Sequence, residues 1–543
     1  MLRKYAICSR WGLTCLFGMG IFLFWLLCYP HALSYQEQYQ LFLFSLDYLT
    51  ERIQVPGGFA DYIGEFFVQF YYIEWVGALV LAIWLVMLQR LTWRMMRCNS
   101  SLYMLSFVPS VMLIWLLGDP SVLFSYMIAM FVAMILGVCR SQKQGLRWPN
   151  IMFDVVATPL LYWAIGPMAW LYVALRVVNN GWRWSWTIAW MLLVQLSSYL
   201  FILLQWPSYT AIWGTYYRIP LHINTLMWVI PFIVVLLAIL SKLLQERKDN
   251  HPWIGHALQT ALLVVLGFFA ITKGYDRDMY ELIRQDYLVR QERWDDIIER
   301  ARDYQVKTPF SSVCVNLALS QKRQLANQMF DFYQSGEDAL MMPRIRDLTS
   351  MLPTAEVFWR LGMVNSAQRY MFDTQESILN AKKSGRCTKR IAECMMVNGH
   401  YAPARKQLGL LKKSLFYRDW ALEAETLIGN EEAINSHPVY GRLRKIRYKK
   451  DFLYNYEERD KMLGLLFVNN PENKMALDYF MGQLLLNVKL VDFQQYMSWV
   501  QQYGGYRMMP LTYQDVMLCI QKNGQVQGSP YRKYVDSKWK EAE

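Results

Sequence analysis

The first 273 residues have little charge. They hold 17 Lys and Arg and 10 Asp and Glu, against 39 and 33 in residues 274–543. So sparse a segment does not have the composition of a soluble domain, whereas the second half does. The chain also lacks paired cysteines: nine are scattered with no C-x-x-C among them, which excludes a ribbon-type metal site or a thioredoxin-like redox motif. Cys8, Cys15, Cys28, Cys98 and Cys139 lie in or beside apolar runs, where cysteine acts as a small hydrophobe. Cys387 and Cys394 would stand about 10 Å apart on one helix, too far to bridge. Free thiols are therefore expected, with a disulfide open only between distant repeats. There is no P-loop, dinucleotide glycine motif, H-E-x-x-H or G-x-S-x-G, so ATP-driven or nucleophile-elbow chemistry is not indicated. His400 and His437 have no partners at metal-ligand spacing, and no metal residues are assigned.

The net charge of +13 does not point to nucleic acid. In the first half the basic excess sits in short loops between apolar runs, which is the mark of membrane orientation. In the second half Lys and Arg alternate with acids at helical spacing, as on a solvated face.

An apolar stretch of about 18–20 residues can span a bilayer. Nine candidates follow one another: Trp11–Cys28, Tyr71–Leu88, Leu102–Leu117, Val122–Val138, Ile151–Ile165, Met168–Val178, Trp186–Gln205, Leu226–Leu240 and His256–Thr272. The first is read as a retained anchor, because no small-x-small cleavage site follows it. The fifth and sixth meet at Gly166-Pro167 and are short enough to be one kinked helix. Orientation favours keeping them apart. With nine spans and an inner N-terminus, fourteen of the seventeen Lys and Arg fall on the cytoplasmic side, Arg176 among them, and only Arg52, Arg218 and Lys273 outside. That is the positive-inside pattern. It puts residues 274–543 outside the cytoplasm: the periplasm in a bacterium, a lumen or the exterior elsewhere.

Two outer loops are long, 29–70 and 206–225, and long loops in compact proteins tend to be functional. Tyr35 through Ile53 reads as an amphipathic helix on the membrane surface, Pro56-Gly57-Gly58 breaks it, and Phe59–Phe70 reads as a second. The loop carries Glu37, Asp47, Glu51, Asp61 and Glu65 against one base, Arg52. These acids either face water on interfacial helices or supply a base or metal ligand for a reaction at the membrane surface. The other loop holds Trp213, Tyr217, Arg218 and His222, either an interfacial aromatic belt or a site for a sugar or a lipid phosphate. Charges within the spans are few, Asp154 being the clearest, which counts against an ion-driven transporter.

From Gly274 onward the pattern is helical. Its best unit is Arg390–Leu408: a helix ends in Asn398-Gly399, Tyr401 follows, and Ala404 comes three residues later. This resembles the tetratricopeptide turn. Weaker copies are Tyr287–Ala301, with Trp294 in the role of Tyr401, and Lys474–Tyr503, with Phe493 in it. A degenerate solenoid of this kind would present a concave surface to a protein or peptide; a helical domain without a ligand is the alternative.

The chain resembles an uncharacterised family of multi-spanning Bacteroidetes membrane proteins through Tyr35-Gln36-Glu37-Gln38, Val55-Pro56-Gly57-Gly58, Gly64-Glu65-Phe66 and the helical-repeat tail. That resemblance implies architecture alone. A more distant one is to the GT-C glycosyltransferases, polytopic enzymes acting on lipid-phosphate-linked sugars, with a catalytic acid soon after the first span; Glu37 stands there, without the adjacent acidic pair of that family. The expectation is thus an all-α protein, with a polytopic bundle over 1–273 and a tetratricopeptide-like solenoid over 274–543. Three functions follow. The leading one is a GT-C-like transferase using a polyprenyl-phosphate-linked sugar at the outer face. In it Glu37, with Asp47 or Asp61, is base or contact for a divalent metal, Arg218, His222, Trp213 and Tyr217 bind substrate, and the tail presents the acceptor. The others are a scaffold whose tail recruits protein partners, and a lipid or solute transporter.

Overall fold

The computed structural model describes residues 2–97, 100–139, 147–202, 209–218, 223–244, 252–344, 350–379, 382–449, 455–502, 505–521 and 528–542. Among these residues the chain is all-helical, with one isolated bridge between Val122 and Tyr217. It divides into two units. Unit 1 is Met1–Arg277 together with Leu379–Lys382 and Ser414–Phe416; unit 2 is the rest.

In unit 1 the helices are α1 (Leu2–Leu23), α2 (Pro30–Glu37), α3 (Leu46–Arg52), α4 (Gly58–Val68), α5 (Glu74–Met95), α6 (Val108–Leu116), α7 (Ser125–Cys139), α8 (Trp148–Ile165), α9 (Ala169–Asn180), α10 (Trp186–Ile202), α11 (Tyr209–Trp213), α12 (Leu226–Leu243) and α13 (Pro252–Gly274). Five stretches of the described residues are long and apolar enough to cross a membrane: Arg10–Cys28, Glu74–Met95, Trp148–Asn180, Leu226–Leu243 and Ile254–Gly274. Their outward side chains are apolar as well, with Leu243, Val264 and Phe268 each more than 60% exposed. Water does not tolerate such a surface on this scale, but lipid does.

The stretch 148–180 is not one kinked helix. Arg176 Nη2 lies 2.8 Å from Asp154 Oδ2, and the Tyr172 hydroxyl donates to the same carboxylate. A straight helix would hold residues 22 apart about 33 Å from each other, so α9 must fold back along α8. The reversal occurs at Gly166, whose φ of +64° is open to glycine at little cost. Arg176, counted above among the loop cations, is instead buried against Asp154, with its guanidinium 4.0 Å from the Trp184 ring.

Hydrogen bonds sort the loops of unit 1 into two ends. At one end Gln36 Nε2 donates to Pro120 O, Trp163 Nε1 to Ile53 O, Tyr162 to Ala211 O, Tyr275 to Ile114 O and Asn224 to Asp119. At the other, Lys242 donates to Val178 O and Gln259 to Ser101 O. The first loop is thus bound into the helical unit at the first end. Its expected amphipathic helix over 35–53 is interrupted, because residues 40–44 are not helical and Leu41, Phe42 and Leu43 are all buried. Three consecutive buried side chains cannot share one helical face.

Unit 2 consists of α14 (Arg277–Arg290), α15 (Trp294–Asp303), α16 (Pro309–Gln321), α17 (Leu325–Gln328), α18 (Met351–Leu361), α19 (Val364–Glu376), α20 (Gly385–Asn398), α21 (Tyr401–Leu411), α22 (Arg418–Leu427), α23 (Glu431–Ser436), α24 (Pro438–Ile446), α25 (Arg459–Asn469), α26 (Lys474–Leu486), α27 (Leu490–Gln502), α28 (Leu511–Gln521) and α29 (Pro530–Ala542). One turn recurs. A residue with positive φ, at Glu292, Arg323, Gly362, Gly399 or Val488, is followed by an N–H that bonds the carbonyl five residues back: Arg293 to Leu288, Gln324 to Leu319, Met363 to Phe358, His400 to Met395 and Lys489 to Leu484. This is the left-handed helix stop whose N–H reaches back over the last turn. In every case the next helix starts one residue later. Gly429, also at positive φ, precedes α23 at the same spacing without the long bond. Trp294 takes the place of Tyr401, as the spacing suggested. In the last copy, however, Leu490 does so, and Phe493 takes the place of Ala404.

Candidate functional site

The first loop folds around a buried ionic cluster. Gly57, with φ +89°, caps α4. Asp61 and Glu65, one helical turn apart, leave the helix on the same side. Lys382 Nζ donates to Asp61 Oδ2 at 2.6 Å and to Glu65 Oε1 at 2.8 Å. Arg52 Nε lies 3.3 Å from Glu65 Oε2, and its guanidinium sits 4.8 Å from the Tyr48 ring. The Tyr48 hydroxyl donates to Glu65. All five side chains are buried. Burial pushes both carboxyls upward. For Glu65 the charges of Arg52 and Lys382 outweigh it, and the group ends below its ordinary range. For Asp61 burial, aided by the negative charge of Glu65, prevails over Lys382 and Arg52, and the group ends above its range. Asp61 Oδ1 has no hydrogen-bond partner.

Asp47 is exposed in the first turn of α3. Glu37 is buried at the end of α2, so the picture of first-loop acids facing water fails for Glu37, Asp61 and Glu65. Trp213 is 37% exposed, with its ring 6.1 Å from Trp228. Tyr217 is buried, its backbone bridging Val122. His222 lies outside the described residues.

Arg218 is the informative member. It is only 4% exposed. Its Nη2 donates to Gln36 Oε1 at 3.0 Å, and its guanidinium lies 4.8 Å from the Tyr35 ring and 4.5 Å from the Tyr39 ring. Nη1 is buried without a hydrogen-bond partner, and no carboxylate among the described residues pairs with it. Two aromatic faces and one amide offset part of the cost of burying this charge, roughly 1–2 kcal/mol per ring. A buried cation without a counter-ion still costs several kcal/mol, a deficit that a bound anion would relieve. Successive helix residues are turned by about 100°, so Glu37 leaves α2 on a different face from Gln36, which meets Arg218.

Among the described residues no group of three or more His, Cys, Asp and Glu side chains is placed to hold a metal ion. The Asp61–Glu65 pair does not fit a divalent cation either, since the Lys382 ammonium already bridges it. No local pattern marks Lys382, which lies more than 300 residues from its partners. The i, i+4 spacing of Asp61 and Glu65 beside the loop's only base was the available signal.

These features define a membrane protein that is all-helical over the described residues, with a buried arginine unmatched by a carboxylate among them and a first loop held by a buried ionic cluster. The chain belongs to DUF6057, a family of unknown function, which matches residues 4–540. No curated protein and no solved structure matches it.

Proposed function

We propose that the chain crosses the membrane nine times, with its N-terminus cytoplasmic and residues 274–543 on the opposite side, and that the loop-bearing end of unit 1 binds the phosphate of a lipid-linked substrate. The reaction this best serves is a GT-C-like transfer of a sugar from a polyprenyl-phosphate donor. The observation that carries the reading is Arg218: a buried guanidinium walled by Tyr35 and Tyr39, held by Gln36, and lacking an acidic partner among the described residues. Arg is suited to phosphate because its fork presents two parallel donors. Among the described residues nine alternating helices, with segments 29–73, 117–124, 163–168, 209–218 and 223–227 meeting at one end, support the topology, as does the bias of Lys and Arg toward the other end. In this reading Arg218 holds the donor, while Glu37 takes a proton from the acceptor on the neighbouring face of α2. Asp61, already engaged by Lys382, keeps the loop in place.

The test is binding of a polyprenyl monophosphate, and of the matching polyprenol, by the purified full-length chain in detergent. The wild type should prefer the phosphate, and Arg218→Gln should lose that preference by roughly tenfold or more. Glu37→Gln should bind normally yet fail to complement a deletion strain. Equal binding of phosphate and alcohol by the wild type overturns the reading.

The recurrent left-handed turns of unit 2 favour a second reading, a tetratricopeptide-like scaffold that recruits a protein partner. The transporter reading draws less support, because Asp154 is neutralised by Arg176.

A further inference from the structure

Within unit 2 one face carries more cation than its acids neutralise. On α20, Arg386, Lys389, Arg390 and Glu393 are spaced i, i+3, i+4 and i+7 and so share a face. The acids around it are all engaged. Arg386 Nη1 donates to Asp286 at 2.7 Å. Glu356 is held by Arg390 at 2.8 Å and Arg360 at 3.4 Å, and Glu393 by Arg390 at 2.9 Å. Lys389 is left over: among the described residues it forms no ion pair, and its ammonium rests 4.7 Å from the Trp420 ring. It is half-buried. Burial pushes its pKa down, and the charges of Arg390 and Arg290 add to this against Glu393. Arg442, exposed on α24, also has no acidic partner among the described residues; its one hydrogen bond is to the Arg360 carbonyl at 3.5 Å.

We propose that this face, centred on Lys389 and extending toward Arg390 and Arg442, is the docking surface for an acidic, carboxylate-rich peptide segment of a partner protein. Charge complementarity names the occupant. Each acid on the face is already taken, Lys389 has none, and carboxylates on an extended peptide would complete the pairing. An anionic polysaccharide fits less well. Sugars bind by stacking on open aromatic faces, and here cations already lie over the tryptophans: Arg390 over Trp359 at 4.3 Å, Arg360 over Trp294 at 4.8 Å and Lys389 over Trp420. The proposal rests on the partner-recruiting reading and names the chemistry of the partner; it is independent of lipid binding at Arg218.

The test uses the full-length protein in detergent with a ten-residue Glu- and Asp-rich peptide, its Gln and Asn counterpart, and polygalacturonate. Saturable binding of the acidic peptide is expected, weakening as salt rises through the range where exposed charges are screened. Lys389→Glu should weaken it by roughly tenfold or more. Lys389→Met, which keeps an apolar stem on Trp420, should fold normally and weaken it less. Unchanged affinity in both variants overturns the proposal, as does polygalacturonate competing at equal affinity. Equal binding of the neutral peptide, lost on disrupting unit 2, overturns the acidic chemistry while leaving partner recruitment standing.

Discussion

Replacing Lys382 with Met tests whether the first loop is held by its ionic cluster. Met keeps most of the aliphatic volume and removes the charge. The change leaves Asp61 and Glu65, with side chains 3% and 0% exposed, with Arg52 as the cation of the cluster and the Tyr48 hydroxyl on Glu65. Removing one partner of a buried pair costs about 3–5 kcal/mol. Asp61 has a raised pKa and can take up a proton, so the lower end of that range is expected, about 3 kcal/mol. For a unit of this size that corresponds to a fall in melting temperature of about 5–10 °C, read by thermal unfolding in detergent. The accompanying signature is faster amide exchange across α4. Asp61→Asn should relieve part of the loss, so that the double variant lies about 1–2 kcal/mol above the sum of the two single changes. A Lys382→Met protein that melts within a degree of the wild type, or strictly additive variants, would refute the lock.

Asp478, whose carboxyl accepts from the Tyr506 hydroxyl at 2.7 Å, is pushed up to about 6 by burial. Its protonated form is the one the fold favours, so its contribution to stability is full below about pH 4 and is lost as pH rises through about 6, a change of up to about 3 kcal/mol; Asp478→Asn should flatten that dependence and stabilise unit 2 at pH 8, as melts at pH 5 and 8 would show. At Gly64 a Cβ would stand 2.9 Å from the Ser125 backbone nitrogen, so Gly64→Val should push α4 off α7 at a cost of about 1–3 kcal/mol, measured as a lower melting temperature. A cysteine at exposed Glu472 should react with an impermeant maleimide in intact cells while one at Arg147 does not; the reverse pattern would overturn the nine-crossing orientation.

The apolar runs and their basic flanks were legible because a bilayer demands long hydrophobic segments and leaves charge at their ends. The helix stop at Asn398-Gly399 was legible because glycine marks positive φ. The equivalent stops at Glu292, Arg323 and Val488 were hidden, since residues that rarely take that conformation give no local signal. That is why the copies look irregular by sequence and why Phe493 reads three residues out of register. Residues 41–44 looked like part of an amphipathic helix, although Leu41, Phe42 and Leu43 are buried together in a non-helical stretch. Tertiary pairing was the least visible. By sequence Arg176 reads as a loop cation, although the fold buries it against Asp154, and nothing near Lys382 announces a partner in the first loop. The acids of that loop were identified by type, but the side chains that neutralise them are brought in by the fold.

An electron cryo-microscopy map of the full-length protein in native-lipid nanodiscs, inspected at Arg218, tests the phosphate site most directly. Phosphate density is expected about 3 Å from Arg218 Nη1, continuous with an acyl or polyprenyl tail and absent in Arg218→Gln. A carboxylate of the chain itself paired with Arg218, with no ligand density beside it, would contradict it.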